Sequence, residues 1–392
     1  MKICIVTKSI FNLGGVQRVV SVIANQLSEK HEVHILCTNP KYKIDRDRYG
    51  LKESVNIEIN KVHTLNESAV FFYRLIRKFN KITGIFNKKC FAGLMLKIYY
   101  PQKVRNRFKE YFNEKNFDVI IGAEGENSLL LGVLASELSA KVVGWQHSST
   151  QAYFNTPNRY LYNQDILCEK FLKELDDYVV LTSVDKEQIK KKFSIDAVTI
   201  YNPLSFNPRR GSVENNKTLL TVARLDIQTK GLDLLLKAYK EIHTKYPLWN
   251  LKIVGDGPDK KKLEYMIEDF GLNNFVQLIP HTDSIIDHYL DASIFISSSR
   301  WEGFGLAITE AMACGVPVVA FENTGPKEII NQNGKNGILV PSGNISKLVE
   351  AVIGLINSIE QRRSISEEGY KRIEDFNIEE IEKQWIKVLS RG

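Results

Sequence analysis

Two carboxylates, Glu302 and Glu310, stand eight residues apart in Trp301–Glu310 (WEGFGLAITE), with Gly303 and Gly305 between them and the β-branched run Ile294–Ile296 just before. Glycines at that place leave the backbone bare where a helix begins. Free N–H groups and the positive end of the helix dipole there attract an anion. Each carboxylate oxygen can accept a hydrogen bond from a sugar or ribose hydroxyl. The spacing sets Glu302 just before the helix and Glu310 about two turns in, on a similar face. A glycine-containing helix start with two exposed glutamates and no ligand fits the same pattern.

Other residues follow strand-like runs in the same way. Arg224 and Lys230 lie in TVARLDIQTKG. A planar fork and a mobile point charge suit a diphosphate, although charges after strands are usually just solvated. Gly14-Gly15 separates the first strand from the first helix; it lacks the G-x-G-x-x-G spacing but lets a ligand approach the backbone closely. Gly255-Asp256-Gly257-Pro258 is a further strand-to-helix turn. No Asp-x-Asp follows a strand in a metal-like context, and the five cysteines (Cys4, Cys37, Cys90, Cys168, Cys314) form no CxxC pair. Neither a metal centre nor a resident cofactor is expected.

These residues need strand ends to hold them. Short β-branched runs alternate with helical stretches along the whole chain, which predicts an α/β fold of right-handed βαβ units and parallel sheets. A first series reads as strands at Lys2–Thr7, Val33–Cys37, Val119–Gly122, Lys141–Trp145, Tyr178–Leu181 and Val198–Tyr201, with a helix at about Val16–Ser28. A second runs through Leu219–Val222, Leu251–Val254, Val276–Leu278, Ile294–Ile296, Val316–Ala320 and Ile338–Val340. The polar stretch near Pro203–Asn215 reads as the hinge between two Rossmann-like domains, 1–203 and 204–374. A charged helical tail carries Trp385, Ile386, Val388 and Leu389 at helical spacing. Open α/β sheets bind ligands beyond the carboxyl ends of their strands, where all these motifs fall.

The 392 residues are 43% hydrophobic and 25% charged, an ordinary globular composition. Lys and Arg exceed Asp and Glu by 53 − 46 = 7. Between Val70 and Lys109 there are eleven Lys/Arg and no Asp/Glu, so the rest of the chain is 42 − 46 = −4. A slightly acidic body with one basic segment is not a nucleic-acid coat. That segment also holds Phe71, Phe72, Phe79, Phe86, Phe91, Leu94, Met95, Leu96, Tyr99 and Tyr100. A basic, aromatic-rich helical stretch can lie on an anionic membrane surface; a solvated face over a core is the plainer alternative. Scattered cysteines and a short apolar start before Lys8 predict a cytoplasmic protein without a signal peptide.

The motifs together resemble the retaining glycosyltransferases of family 4, which have the two-Rossmann GT-B architecture. EGFGLAITEAMACGVPVVA is similar to the family's E-x7-E signature, and GGVQRV, ARLDIQTKG, VGDGP and GILVPSGN resemble family blocks in order. Gln17, where many relatives have Glu, and YNPL, where many read YNG, are departures; Asn202 remains. The resemblance implies two domains facing across a cleft, with the helix 375–392 packing back on the first. It implies that Glu310 binds the ribose and Glu302 the donor sugar. Phe304, Gly305, Leu306 and Ala307 would offer backbone amides. Arg224 and Lys230 would neutralise the departing diphosphate, and Gly14 and Gly15 would close over it. His147 matches the histidine near the sugar, and its plainer reading is a satisfied polar residue at a strand end. Asn202, Gly255 and His281 match donor-side positions, and Arg18 an acceptor-side one.

The implied activity is hexosyl transfer from a nucleotide diphosphate sugar, with UDP favoured over GDP, to a saccharide or lipid-linked saccharide of bacterial surface polysaccharide. The protein would lie against the inner face of the cell membrane through 70–109. Two alternatives stand beside it: a non-catalytic nucleotide-sugar-binding subunit, and a sugar-nucleotide epimerase of the same fold.

Overall fold

The computed structural model describes residues 1–12, 14–39, 41, 43–59, 67–157, 159–211 and 216–391. The chain divides into two compact units, Met1–Pro203 with Ile378–Gly392, and Leu204–Asn377.

The first unit is built on β1 (Lys2–Thr7), β2 (Glu32–Cys37), β3 (Val55–Ile59), β4 (Val119–Ala123), β5 (Lys141–Trp145), β6 (Asp177–Val180) and β7 (Val198–Thr199). Among the described residues they form one parallel sheet in the order β3-β2-β1-β4-β5-β6-β7. Ile3, Cys4, Ile5 and Val6 of β1 are fully buried, as expected of a central strand covered by helices on both faces. Helix α1 (Gly15–Leu27) returns the chain from β1 to β2, burying Val19, Val20, Ile23, Ala24 and Leu27 at helical spacing. Strand order reverses between β1 and β4, because the chain first winds outward through β2 and β3. It then crosses by α2 (Glu67–Thr83), α3 (Ala92–Tyr99) and α4 (Gln102–Lys115) before β4, and continues into α5 (Gly125–Leu134).

The second unit repeats the plan with β8 (Thr218–Val222), β9 (Asn250–Val254), β10 (Val276–Ile279), β11 (Ile294–Ser297), β12 (Val318–Phe321) and β13 (Ile338–Val340). Their order is β10-β9-β8-β11-β12-β13, again parallel, with the reversal between β8 and β11.

The two series of βαβ units are those expected, with local differences. β3 was not anticipated, because Asn56 and Glu58 interrupt its apolar positions; Val55 is its one fully buried side chain. β12 begins at Val318 rather than Val316, since Pro317 has no N–H to give a ladder; its carbonyl instead accepts from Phe295 N. β7 keeps only two residues of the expected four. The expected hinge is not free chain in its first half. Leu204 N donates to Phe376 O, Arg209 N to Ala313 O and Gly211 N to Cys314 O, so this segment is tied into the second unit. Residues 212–215 lie outside the described residues. The terminal helix Ile378–Leu389 belongs to the first unit, where Trp385 is fully buried with its ring 4.7 Å from that of Trp145.

Candidate functional site

In the second unit every anticipated residue follows a strand's carboxyl end: Arg224 after β8, Gly255 after β9, His281 after β10 and Glu302 after β11. Parallel strands put all four loops on one side of the sheet.

Lys230 ends a one-turn helix, Ile227–Lys230, capped by Asp226, whose side chain accepts from Thr229 N at 3.0 Å. Its Nζ lies 2.5 Å from Glu302 Oε2, which also receives Ser299 Oγ at 3.3 Å. The two loops are joined along their backbones as well. Arg300 N donates to Thr229 O at 2.8 Å, and Ser298 Oγ to Lys230 O at 2.9 Å. The Arg300 guanidinium then grips the Asp233 carboxylate through two bonds of 2.9 and 2.8 Å. That pairing holds the Asp233 carboxyl below its usual range against the cost of its burial. On the other side Asn323 Nδ2 donates to Ser299 O and Gly325 N to Glu302 O. The carboxylate and the ammonium are therefore held half-buried, facing each other from separate loops.

Arg224 is exposed, and no ion pair among the described residues includes it. Gly255 has φ +147, and a Cβ there would stand 2.0 Å from Ala223 O, so only glycine lets these two loops meet. His281 is exposed; its backbone N–H donates to Asp256 Oδ2 at 2.8 Å, fixing the loop after β10.

The helix after Glu302 spans Leu306–Ala313, with Gly305 at its N-cap in a left-handed conformation, φ +112. Gly303–Gly305 stay out of the helix, so Glu310 lies about one turn in, not two. The amides of Leu306 and Ala307 are at the open first turn, where no intrahelical acceptor exists. Phe304 turns inward against Phe376, 5.6 Å between ring centres. The Glu310 carboxylate meets partners of its own. It is buried, accepting from Tyr289 Oη at 2.8 Å and from Ser205 Oγ at 3.4 Å.

In the first unit Gly14 and Gly15 lie where β1 runs into α1, and Gly14 N donates to the Tyr49 hydroxyl at 3.0 Å. Arg18 sits half-buried on the first turn of α1. His147 follows β5, with its ring 4.1 Å from that of Trp145 and its Nε2 buried without a partner among the described residues. Burial drives its pKa down to about 3, so the imidazole is neutral at physiological pH. Asn202 follows β7, buried, with Oδ1 likewise unpartnered among the described residues.

Sequence reasoning missed Arg300, Asp233, Ser299, Tyr289 and Ser205. Arg300 does adjoin the WEGFG block, but its partner lies 67 residues away and carries no local signal. No group of three potential metal ligands occurs among the described residues.

Two family models divide the chain between them: Glycosyltransferase Family 4 over residues 13–206 and Glycosyl transferases group 1 over 206–372. An uncharacterized glycosyltransferase of Haemophilus influenzae is 31% identical over 73% of this chain and 80% of that protein. The poly(ribitol-phosphate) alpha-N-acetylglucosaminyltransferase of Staphylococcus aureus is 25% identical over 88% of this chain and 70% of its own length. A crystal structure of a mutant of S. aureus TarM, in complex with fondaparinux, alpha-GlcNAc-glycerol and UDP, superposes over 100% of both chains with a TM-score of 0.78 at 17% identity, a likeness of fold. This chain belongs to the glycosyltransferases, joining a Family 4 N-terminal half to a group 1 C-terminal half in the GT-B fold class.

Proposed function

We propose that the protein is a retaining, metal-independent hexosyltransferase that carries a sugar from a UDP-sugar to a lipid-linked glycan in bacterial surface polysaccharide synthesis. The observation that supports this reading most strongly is the Lys230–Glu302 pair, 2.5 Å apart and set beside a bare helix start. Without ligand the two charges satisfy each other. When a donor arrives, its diphosphate takes Lys230 and its sugar hydroxyls take Glu302.

Arg224, Lys230 and the amides of Gly305, Leu306 and Ala307 stabilise the charge that develops on the leaving diphosphate, the work a divalent cation does elsewhere. The anomeric C–O bond breaks with its electron pair passing to the phosphate oxygen. The acceptor hydroxyl attacks from that same face and gives its proton to the departing phosphate, so configuration is kept. A glutamate already holding Lys230 suits hydroxyl binding better than the nucleophilic role that paired carboxylates take in double displacement. Glu310 receives the ribose once Tyr289 and Ser205 yield, with Gly255 and His281 bordering the nucleotide. Neutral His147 can donate or accept one hydrogen bond to the donor sugar, and Asn202, Gly14 and Gly15 are assigned to donor binding as well. Arg18 faces the acceptor.

The UDP preference draws on the TarM complex, whose ligands include UDP. The membrane association draws on 70–109, where Phe71, Phe72, Leu75, Phe79 and Ile82 stay exposed along α2. No helix among the described residues is long and apolar enough to cross a membrane. On this reading the protein works at the cytoplasmic face of the membrane as a peripheral protein, docked through 70–109.

Thermal unfolding with UDP, GDP and their sugars tests the donor. A ligand at 100 times its Kd adds about 2.7 kcal/mol of stability. UDP should raise Tm and GDP should not. Proton NMR of the first product should show the donor's anomeric configuration; inversion would remove the retaining assignment.

A further inference from the structure

The first unit holds a cationic cavity that the donor chemistry leaves unused. It encloses about 540 Å³, within the size range of small-molecule sites. Arg74, Arg77, Lys78 and Lys81, one stripe of α2, line it with Tyr99 at the end of α3 and with Gln164. One carboxylate, Glu126, also faces in, and its Oε2 is already 3.2 Å from Lys8 Nζ.

The cavity is built rather than incidental. The Arg77 guanidinium donates to the carbonyls of Ile98 at 3.0 Å and Tyr99 at 2.8 Å, and lies over the Tyr99 ring. One edge is thereby fixed, and its remaining N–H groups are left for a ligand. Burial, aided by the like charges of Lys8 and Arg77 and opposed by Glu126, holds the Lys81 pKa below its ordinary value. The Tyr99 hydroxyl accepts from Asn80 at 3.3 Å, which keeps its own proton available. Gln164 is 1% exposed, and its Oε1 has no partner among the described residues. An anion flanked by a waiting acceptor describes a phosphate joined to a hydroxylated group.

The location fits a substrate. A smaller cavity of about 290 Å³ shares Lys81 and Glu126 with the first, and opens on Lys8 after β1 and Glu124 after β4. Those two strands flank the point where strand order reverses, the crevice in which open α/β sheets bind ligands. Glu124 there has φ +71, and its Oε2 is buried without a partner among the described residues.

We propose that this pair of cavities binds the acceptor through a phosphate group, with Arg74, Arg77, Lys78 and Lys81 taking the anion and Gln164 and Glu124 the adjoining hydroxyls. The word acceptor rests on the glycosyltransferase reading; the anion site does not. A diphosphate on a hydrocarbon chain and a phosphodiester polymer present the same chemistry here.

The test is calorimetry on the full chain with UDP saturating, so that the donor-side diphosphate site is filled, using inorganic pyrophosphate as probe. One equivalent should bind, with affinity falling at least tenfold in Arg74→Gln/Lys78→Gln/Lys81→Gln. The equal charge loss of Lys173→Gln/Lys190→Gln/Lys191→Gln, elsewhere on the unit, should change affinity less than twofold. Geranyl diphosphate binding more tightly than pyrophosphate assigns a lipid source, and oligo(glycerol phosphate) binding more tightly assigns a polymer. No binding beside UDP, or equal losses in the two triple variants, overturns the site. Hydrolysis of the donor sugar by water, measured in parallel, tests the transferase reading separately and should be unchanged in both variants.

Discussion

At Glu302 and Glu310 the same residue type meets two environments, and mutation should separate them. Glu310→Ala removes a buried acceptor of two hydroxyl groups. It should weaken UDP binding by roughly 1.5–3 kcal/mol, the worth of a hydrogen bond to a charged group, read by calorimetry. Glu302→Ala should leave UDP affinity within about twofold and lower turnover. Equal UDP affinity in wild type and Glu310→Ala would remove the ribose assignment. Lys230→Ala and Arg224→Ala should each lose ~10²–10³-fold in kcat, as when one donor to a developing anion is deleted, and activity should persist in excess EDTA. His147 gives a pH signature. Its folded pKa, about 3, lies below the unfolded value of 6.5, so the unfolded chain binds the extra proton first. Its contribution to stability is complete above pH 6.5 and is lost as pH falls from there toward 3. His147→Gln should flatten urea stability across that window; an unchanged slope would show the ring charges freely. The E-x7-E block, Arg224 and Lys230 were legible because their types and spacing are local. Tyr289 and Ser205, which close over Glu310, were not, because only the fold brings them there.

Along α2 the residues sort by angle. Arg77, Asn80 and Lys81 turn toward the unit, Phe71, Phe72, Leu75 and Phe79 are exposed, and Ile82, also exposed, borders the cavity. The basic count marked this segment in the sequence, but only the helix shows that its cations divide between a cavity and a surface. Tyr99, which could have anchored a membrane, instead lines the cavity beside Arg77. The exposed Lys88 and Lys89, beyond the end of α2, are left to meet headgroups with the apolar face. Each Lys or Arg near an anionic surface is worth about 1 kcal/mol, screened by salt. Co-sedimentation with liposomes should rise with the anionic lipid fraction and fall with salt. Phe71→Ser/Phe72→Ser/Lys88→Gln/Lys89→Gln should abolish it without changing Tm. A wild type that stays in the supernatant at low salt would leave α2 a solvated face. β3 escaped sequence reading at this scale for the opposite reason, since a short edge strand needs few apolar residues.

For the whole molecule, two series of parallel βαβ units were readable because buried strands must be apolar and β-branched. Four apolar residues at helical spacing, Trp385, Ile386, Val388 and Leu389, marked the last helix as one that packs on a domain surface, and only the family resemblance pointed to the first unit. Three of them, Trp385, Val388 and Leu389, are buried there, and Glu382 of the same helix binds Lys30 and Gln26. Trp385→Ala should cost roughly 3–5 kcal/mol, read as a lower urea midpoint for the first unit with UDP binding retained. The account stands or falls on transfer itself. Purified protein, with EDTA present, should be given a radiolabelled UDP-sugar and bacterial membranes, and both the organic-extractable label and the free UDP should be measured. The account predicts label entering the lipid fraction in equal amount with UDP released, and neither event in a Lys230→Ala/Glu302→Ala double variant. UDP-sugars left intact, epimerised without transfer, or consumed equally well by the double variant would contradict it.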